Sequence, residues 1–244
     1  MYNSYISYIR DVVQRRDLSN FKSNPNYTAI LEHVNPSQGE QYLHEIKRIT
    51  SLNMEDIRAF CSFNDRVGSP NKTTYVDMSL SPSSLRYILH AHLILTHLKS
   101  LASPRNDIVE VGGGYGGLCL ALHWFAPKYG VPIHSYSIID LREATDLQRL
   151  YLEAVQPGIR VNFHVASEFG ADVAPAPNGL FLVSNYCFSE ISPEFQEKYR
   201  TTLFPKVAHG FMAWNMIPVY EFGFPCKVEE EVPKTGPFNR YVYF

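Results

Sequence analysis

The feature that most limits what this chain can fold into is the run Glu110-Val111-Gly112-Gly113-Gly114-Tyr115-Gly116-Gly117. Gly112, Gly114 and Gly117 match G-x-G-x-x-G between a short apolar run, 107–111, and a helical pattern, 118–125. Glycines at a strand-to-helix turn let the backbone reverse tightly and approach a ligand closely. A second apolar run, 134–139, ends at Asp140, where a carboxylate can accept hydrogen bonds from both ribose hydroxyls of a nucleoside cofactor. Strand, glycine turn, helix and a strand closing on Asp predict a nucleoside site.

The rhythm continues downstream. Strand patterns at 160–165, 180–184 and 210–215 alternate with helical ones at 143–155 and 193–204. Such alternation builds an open parallel sheet covered on both faces, through right-handed crossovers. The tail breaks the pattern: 227–232 and 241–244 are strands separated by Pro233-Lys234-Thr235-Gly236-Pro237, which predicts an antiparallel pair. Upstream, helical spacing covers Tyr5, Ile6, Ile9, Val12 and Val13, then 42–50 and 53–60. Ser81-Pro82 opens a further helix lined by Leu85, Ile88, Leu89, His92, Leu93, Leu98 and Leu101. The chain divides near Ser103-Pro104-Arg105-Asn106, giving a helical cap and substrate region at 1–104 and a cofactor-binding domain at 105–244. The fold class is α/β: a seven-stranded Rossmann-like sheet with an antiparallel terminal pair and an N-terminal helical cap.

Several function classes drop out. A formal net charge of -2 with no Lys/Arg stripe argues against a nucleic-acid partner. The four cysteines, Cys61, Cys119, Cys187 and Cys226, form no C-x-x-C pair, which argues against a zinc site and a disulfide framework. The start lacks a signal-peptide pattern and no apolar run reaches ~18 residues, so a cytoplasmic protein with no membrane span is expected. His90, His92 and His97 at helix spacing are more often packed or surface histidines than metal ligands. The 16 Tyr and 15 Phe suit stacking on adenine or sugar rings, and equally fill cores.

Glu110 selects among nucleosides. A carboxylate two residues before Gly112 suits the ammonium and sulfonium end of S-adenosylmethionine and opposes a dinucleotide's pyrophosphate. The closing strand pair also fits a methyltransferase sheet, whose last strand inserts antiparallel beside the fifth. Candidate cofactor contacts are Glu110, Gly112, Gly113, Gly114, Tyr115, Gly116, Asp140, Leu141, Ser167 and Asn185.

Asp107-Ile108-Val109-Glu110-Val111-Gly112-Gly113-Gly114-Tyr115-Gly116-Gly117-Leu118 resembles the first motif of the sugar O-methyltransferase family. Val183-Ser184-Asn185-Tyr186-Cys187-Phe188-Ser189-Glu190 looks like that family's motif after the fourth strand. The tail Glu229-Glu230-Glu231-Val232-Pro233-Lys234-Thr235-Gly236-Pro237 is similar too, as are Phe21-Lys22-Ser23-Asn24-Pro25-Asn26-Tyr27 and Ile30-Leu31-Glu32-His33. The resemblance implies S-adenosylmethionine as cofactor and a sugar hydroxyl as acceptor, in bacterial surface polysaccharides or algal-virus glycans. A 6-deoxyhexose such as rhamnose and membership of a larger glycan-building protein follow by the same analogy.

The fourth strand's carboxyl end faces the methyl group in such a fold, so Asn185 and Tyr186 are expected around donor methyl and acceptor oxygen. Glu190 is either the general base or acceptor-positioning group, or simply favours the next helix start. Asp65 either leans over the site as an alternative base and substrate contact or is an ordinary turn aspartate. Tyr75 either stacks on a sugar ring or packs. His209, before the fifth strand, faces the other end of the sheet. One carboxylate on the 184–190 loop is too few for an obligatory metal. The competing readings are an NAD(P)-dependent sugar oxidoreductase and a non-catalytic glycan-binding domain.

Overall fold

The computed structural model describes residues 2–101, 106–215 and 225–244. The expected division at Ser103, Pro104 and Arg105 lies outside the described residues. The N-terminal elements are helices α1 (Tyr2–Arg15), α2 (Pro25–Thr28), α3 (Pro36–Ile49) and α4 (Met54–Asn64), a hairpin of β1 (Thr73–Tyr75) and β2 (Met78–Leu80), and the long helix α5 (Pro82–Ser100). Then come β3 (Asn106–Val111), α6 (Gly117–Tyr129), β4 (Ile133–Asp140), α7 (Arg142–Val155), β5 (Asn162–Val165), β6 (Leu180–Asn185), α8 (Pro193–Thr202) and β7 (Val207–Trp214). The strands β8 (Lys227–Glu230) and β9 (Arg240–Tyr243) close the sheet.

The sheet has seven strands in the order β5-β4-β3-β6-β7-β9-β8. β3 pairs in parallel with both β4 and β6, and β9 inserts antiparallel between β7 and β8. The chain therefore reverses direction across the sheet at β3, the topological switch point at which open α/β sheets bind ligands. This is the expected α/β sheet with its antiparallel end.

Alternation along β3 shows how the sheet is covered. Ile108 joins one core with α5, α6, α7 and the N-terminal helices, whereas Val109 and Val111 face a second core built on Tyr199, Leu203 and Phe204. α7 is amphipathic: Ala144, Leu147, Tyr151, Leu152 and Val155 are buried at helix spacing, with the polar Gln148 in the same stripe. α1 packs against α7, and Arg10 donates to Glu143 at 2.6 Å. The N-terminal helices thus reach the carboxyl end of β4.

Two local features differ from expectation. α3 begins at Pro36 rather than near residue 42, because Asn35 and Gln38 form a reciprocal capping box. The β1–β2 hairpin falls where no element was anticipated, since strands of three residues carry too little alternation to read.

Candidate active site

The glycine turn joins β3 to α6 at the switch point. Gly112 has φ +80°, and a Cβ built there would sit 2.3 Å from Cys187 Sγ, so both conformation and space demand glycine. Gly116 has φ +96° and occupies the N-cap of α6. Leu31, from the segment after α2, lies 3.6 Å from a Cβ placed on Gly114. The turn, with Cys187 packed on Gly112 and Leu31 beside Gly114, is the glycine cradle of the candidate site.

Two carboxyl groups flank it. Glu110 is fully buried and accepts from the Tyr136 hydroxyl at 2.8 Å. Burial drives its pKa up to about 8, against the Tyr136 bond, and Asp140 adds to the rise. Asp140 sits at the end of β4 with Oδ1 accepting from the Leu141 backbone at 2.8 Å and Oδ2 from Gln148 Nε2 at 2.9 Å. Burial raises its pKa to about 6, partly offset by those bonds. Gln148 Nε2 also donates to the Gly114 carbonyl at 3.0 Å, so one amide ties the turn to the carboxylate. Tyr5 is buried and Tyr2 half-exposed; desolvation raises both phenols, and the field of Asp140 adds to the rise.

The remaining candidates are scattered. Tyr115 turns its side chain into the interior, where its hydroxyl accepts from Asn64 Nδ2 at 3.1 Å and Lys22 lies over its ring at 4.1 Å. Only its backbone remains at the turn. Leu141 is the N-cap of α7, and Ser167 is exposed in a short 3-10 turn after β5. Asn185 ends β6, and its Nδ2 donates to His90 Nδ1 at 2.8 Å. Asn185 Oδ1 and His90 Nε2 are buried without partners. His90 is a packed histidine among Tyr186, Phe211 and Tyr241, and burial pushes its pKa down to about 3.

Tyr186 follows with φ +60°, and its hydroxyl donates to Glu231. Glu190 stands at the surface with its carboxyl half-buried and accepting from Asn215 Nδ2, and that partial burial raises its pKa. Asp65, at the C-cap of α4, is buried and spends both oxygens internally: Oδ2 accepts from the Ser81 backbone at 3.0 Å and Oδ1 from Ser84 Oγ at 2.6 Å. Tyr75 is buried, and its hydroxyl donates to the Pro36 carbonyl at 3.0 Å. The turn, Glu110 and Asp140 therefore lie together. Asp65 and Tyr75 are spent elsewhere, and Glu190 stands on the surface beyond β6. His209 lies in the first half of β7, away from its carboxyl end.

Sequence reasoning missed Gln148, Tyr136 and Cys187. The first had a visible signal, a polar residue inside the apolar stripe of α7. The other two contact the turn only through the fold. Among the described residues, no cluster of three or more His, Cys, Asp or Glu is arranged to hold a metal ion.

The chemistry around the turn suits a nucleoside cofactor: a carboxyl group at the end of β4 can serve a ribose, and a second carboxyl stands near the end of β3. No family model and no curated protein matches the chain. Among solved structures, similarity is found to a likely methyl transferase from Burkholderia thailandensis bound to S-adenosyl-homocysteine, at 27% identity and TM-score 0.36, over 44% of this chain and 26% of that one. An O-methyltransferase family protein from the same organism aligns at 12% identity and TM-score 0.42, covering 66% of this chain and 57% of the other. PKMT2 from Rickettsia typhi in complex with AdoHcy aligns at 20% identity and TM-score 0.37, covering 54% and 26%. The chain thus spans between about a quarter and just over half the length of these structures. At such TM-scores the likenesses carry no weight of their own, and the fold rests on the strand order of the sheet itself.

Proposed function

We propose that this chain is an S-adenosylmethionine-dependent O-methyltransferase acting on a sugar hydroxyl, in the cytoplasm and as part of glycan construction. The observation that carries the reading is the pairing of Glu110 and Asp140 across a glycine cradle, at the switch point of a sheet whose ninth strand runs antiparallel. In this reading residues 105–244 hold the cofactor, and the helical part up to residue 104 covers it and receives the acceptor.

When bound, S-adenosylmethionine supplies an electrophilic methyl group on a sulfonium. The chain's own residues do the rest. Asp140, held by Leu141 and Gln148, offers its remaining lone pairs to the ribose hydroxyls. Glu110 gives up its proton beside a cation, because opposite charge favours the ionised form. Leu31 and Cys187 exclude water from the cradle. Asn185 and Tyr186, at the carboxyl end of β6, border the reacting oxygen and fix its line of approach. Alignment of that kind contributes several kcal/mol to the rate.

The sugar is supported by the resemblance of five separated segments, four of which the fold links through the following contacts. Tyr186 from one bonds Glu231 from another, and Leu31 from a third lies on the glycine turn. Incubation with methyl-labelled cofactor and a panel of rhamnose-, fucose- and hexose-bearing acceptors tests the reading. Label is expected on a sugar oxygen of at least one acceptor. Label on none of them, with cofactor binding intact, removes the sugar from the assignment and leaves a cofactor-binding domain of the same fold.

A further inference from the structure

Helix α5 carries a buried cation that the site above leaves unused. Arg86 is only 8% exposed, yet among the described residues its guanidinium has neither a hydrogen bond nor an ion pair. Lys22, the other buried cation, is satisfied: it donates to the Asn64 carbonyl at 2.8 Å and to the Tyr151 hydroxyl at 3.1 Å. A guanidinium has five N–H donors and does not shed its charge, so burying it unpaired is costly. A group in that state asks for a partner that the chain itself does not supply.

Its neighbours leave the charge open. The Glu32 carboxyl lies within its field but forms no ion pair with it, and Lys22 acts on that carboxyl more strongly than Arg86 does. Tyr42, Tyr87 and Tyr186 stand around it as phenols that burial keeps protonated. His33 and His90 are held neutral, by burial first and by Arg86 second. Nor is the guanidinium shut in. Tyr42 Oη and His90 Nε2 are sealed without partners, but no nitrogen of Arg86 is among such atoms, so it meets the space that stays open.

Measured contacts place Arg86 between the two halves of the candidate site. Its guanidinium carbon lies 5.8 Å from the Tyr87 ring and 5.7 Å from the Tyr186 ring. Tyr87 packs on the end of the glycine turn, where a Cβ built on Gly117 would lie 2.6 Å from its ring. Tyr186 follows Asn185 at the carboxyl end of β6. One helical turn after Arg86, His90 accepts from Asn185 Nδ2 at 2.8 Å, so the two residues share the face of α5 that looks onto that strand end.

We propose that Arg86 binds an oxyanion carried by the acceptor, on the methylated sugar or on the unit next to it. The proposal rests on the sugar-transfer reading above and narrows it to acidic acceptors. A guanidinium fork matches the paired oxygens of a carboxylate or a phosphate. A single cation balances the one charge of a carboxylate and falls short of the charge on a phosphate monoester, so an acidic sugar is the expected source.

Saturation-transfer NMR titration of the full chain with methyl β-D-glucuronide, methyl β-D-glucoside and α-D-glucose 1-phosphate tests this, beside calorimetric titration of S-adenosylhomocysteine. The glucuronide differs from the glucoside by a carboxylate in place of a hydroxymethyl group. It is expected to bind the wild type about tenfold more tightly or better, and to lose that advantage in Arg86→Met. Affinity for S-adenosylhomocysteine stays within about twofold in the variant. Equal binding of glucuronide and glucoside by the wild type, with glucose 1-phosphate no tighter, overturns the proposal, as does an advantage that survives in Arg86→Met. A loss of about tenfold or more in S-adenosylhomocysteine affinity in Arg86→Met also overturns it, because Arg86 would then serve the cofactor's own carboxylate. Glucose 1-phosphate binding that is the tightest of the three and depends on Arg86 upholds the oxyanion and makes phosphate its source. If Arg86→Met does not fold, the wild-type comparison decides. Absence of S-adenosylhomocysteine binding overturns the transferase reading alone, and the sugar comparison still decides the oxyanion.

Discussion

Glu110 concentrates the physics of the site in one side chain. It lies on β3 one position before the strand's end, on the face toward α6, where solvent cannot reach it. Its folded pKa of about 8 stands far above the 4.5 of an ordinary glutamate. Between those values the folded chain binds more protons than the unfolded one, so stability falls as pH rises through the window, by at most about 1.4 kcal/mol per pH unit. Asp140 contributes in the same direction only up to about pH 6, so above that the difference between the wild type and Glu110→Gln reports Glu110. Urea unfolding between pH 6 and 8 is expected to show wild-type stability falling relative to that of Glu110→Gln. Equal slopes would mean that Glu110 is ionised in the fold. The glycines and Asp140 were legible in the sequence because strand, turn and helix are contiguous there. Gln148, Tyr136 and Cys187 were not assigned roles, because each acquires its contact from a segment far away in the chain.

At the scale of elements, the tail matters more than its position at the sheet edge implies. Glu231, just past β8, is wholly buried and accepts from the Thr235 backbone at 2.7 Å, Thr235 Oγ1 at 2.8 Å and Asn239 Nδ2 at 3.2 Å, as well as from Tyr186. The connection between β8 and β9 is thus folded around one carboxylate, which also fixes the residue after β6. Glu231→Ala leaves several buried donors without an acceptor, each costing about 1–3 kcal/mol. A loss of about 2–4 kcal/mol in urea unfolding is expected, with Glu231→Gln losing less. A loss below about 0.5 kcal/mol, the range of ordinary surface changes, would contradict the role. The strands themselves were readable, since short apolar runs bounded by turn residues alternate with helical stripes. The β1–β2 hairpin was not, and α3 was read six residues short although Asn35 and Gln38 spell its capping box.

Over the whole molecule, the N-terminal helices and the sheet meet at the carboxyl ends of β3 and β4. α1 docks on α7, Leu31 rests on the glycine turn, and Lys22 donates to the Asn64 carbonyl at 2.8 Å beneath Tyr115. The sequence foretold a helical half and a sheet half. How the first closes over the second depends on contacts more than a hundred residues apart, such as Arg10 to Glu143, which no local pattern encodes. That closure makes one cofactor test stringent, because the ligand must satisfy both halves at once. Calorimetric titration of the wild type with S-adenosylhomocysteine and with NADH, repeated on Asp140→Ala, tests the central claim most directly. Saturable S-adenosylhomocysteine binding that weakens about 10- to 100-fold in Asp140→Ala, as loss of charged hydrogen bonds requires, is the predicted result. Tight NADH binding with no response to S-adenosylhomocysteine, or equal affinity in Asp140→Ala, would contradict it.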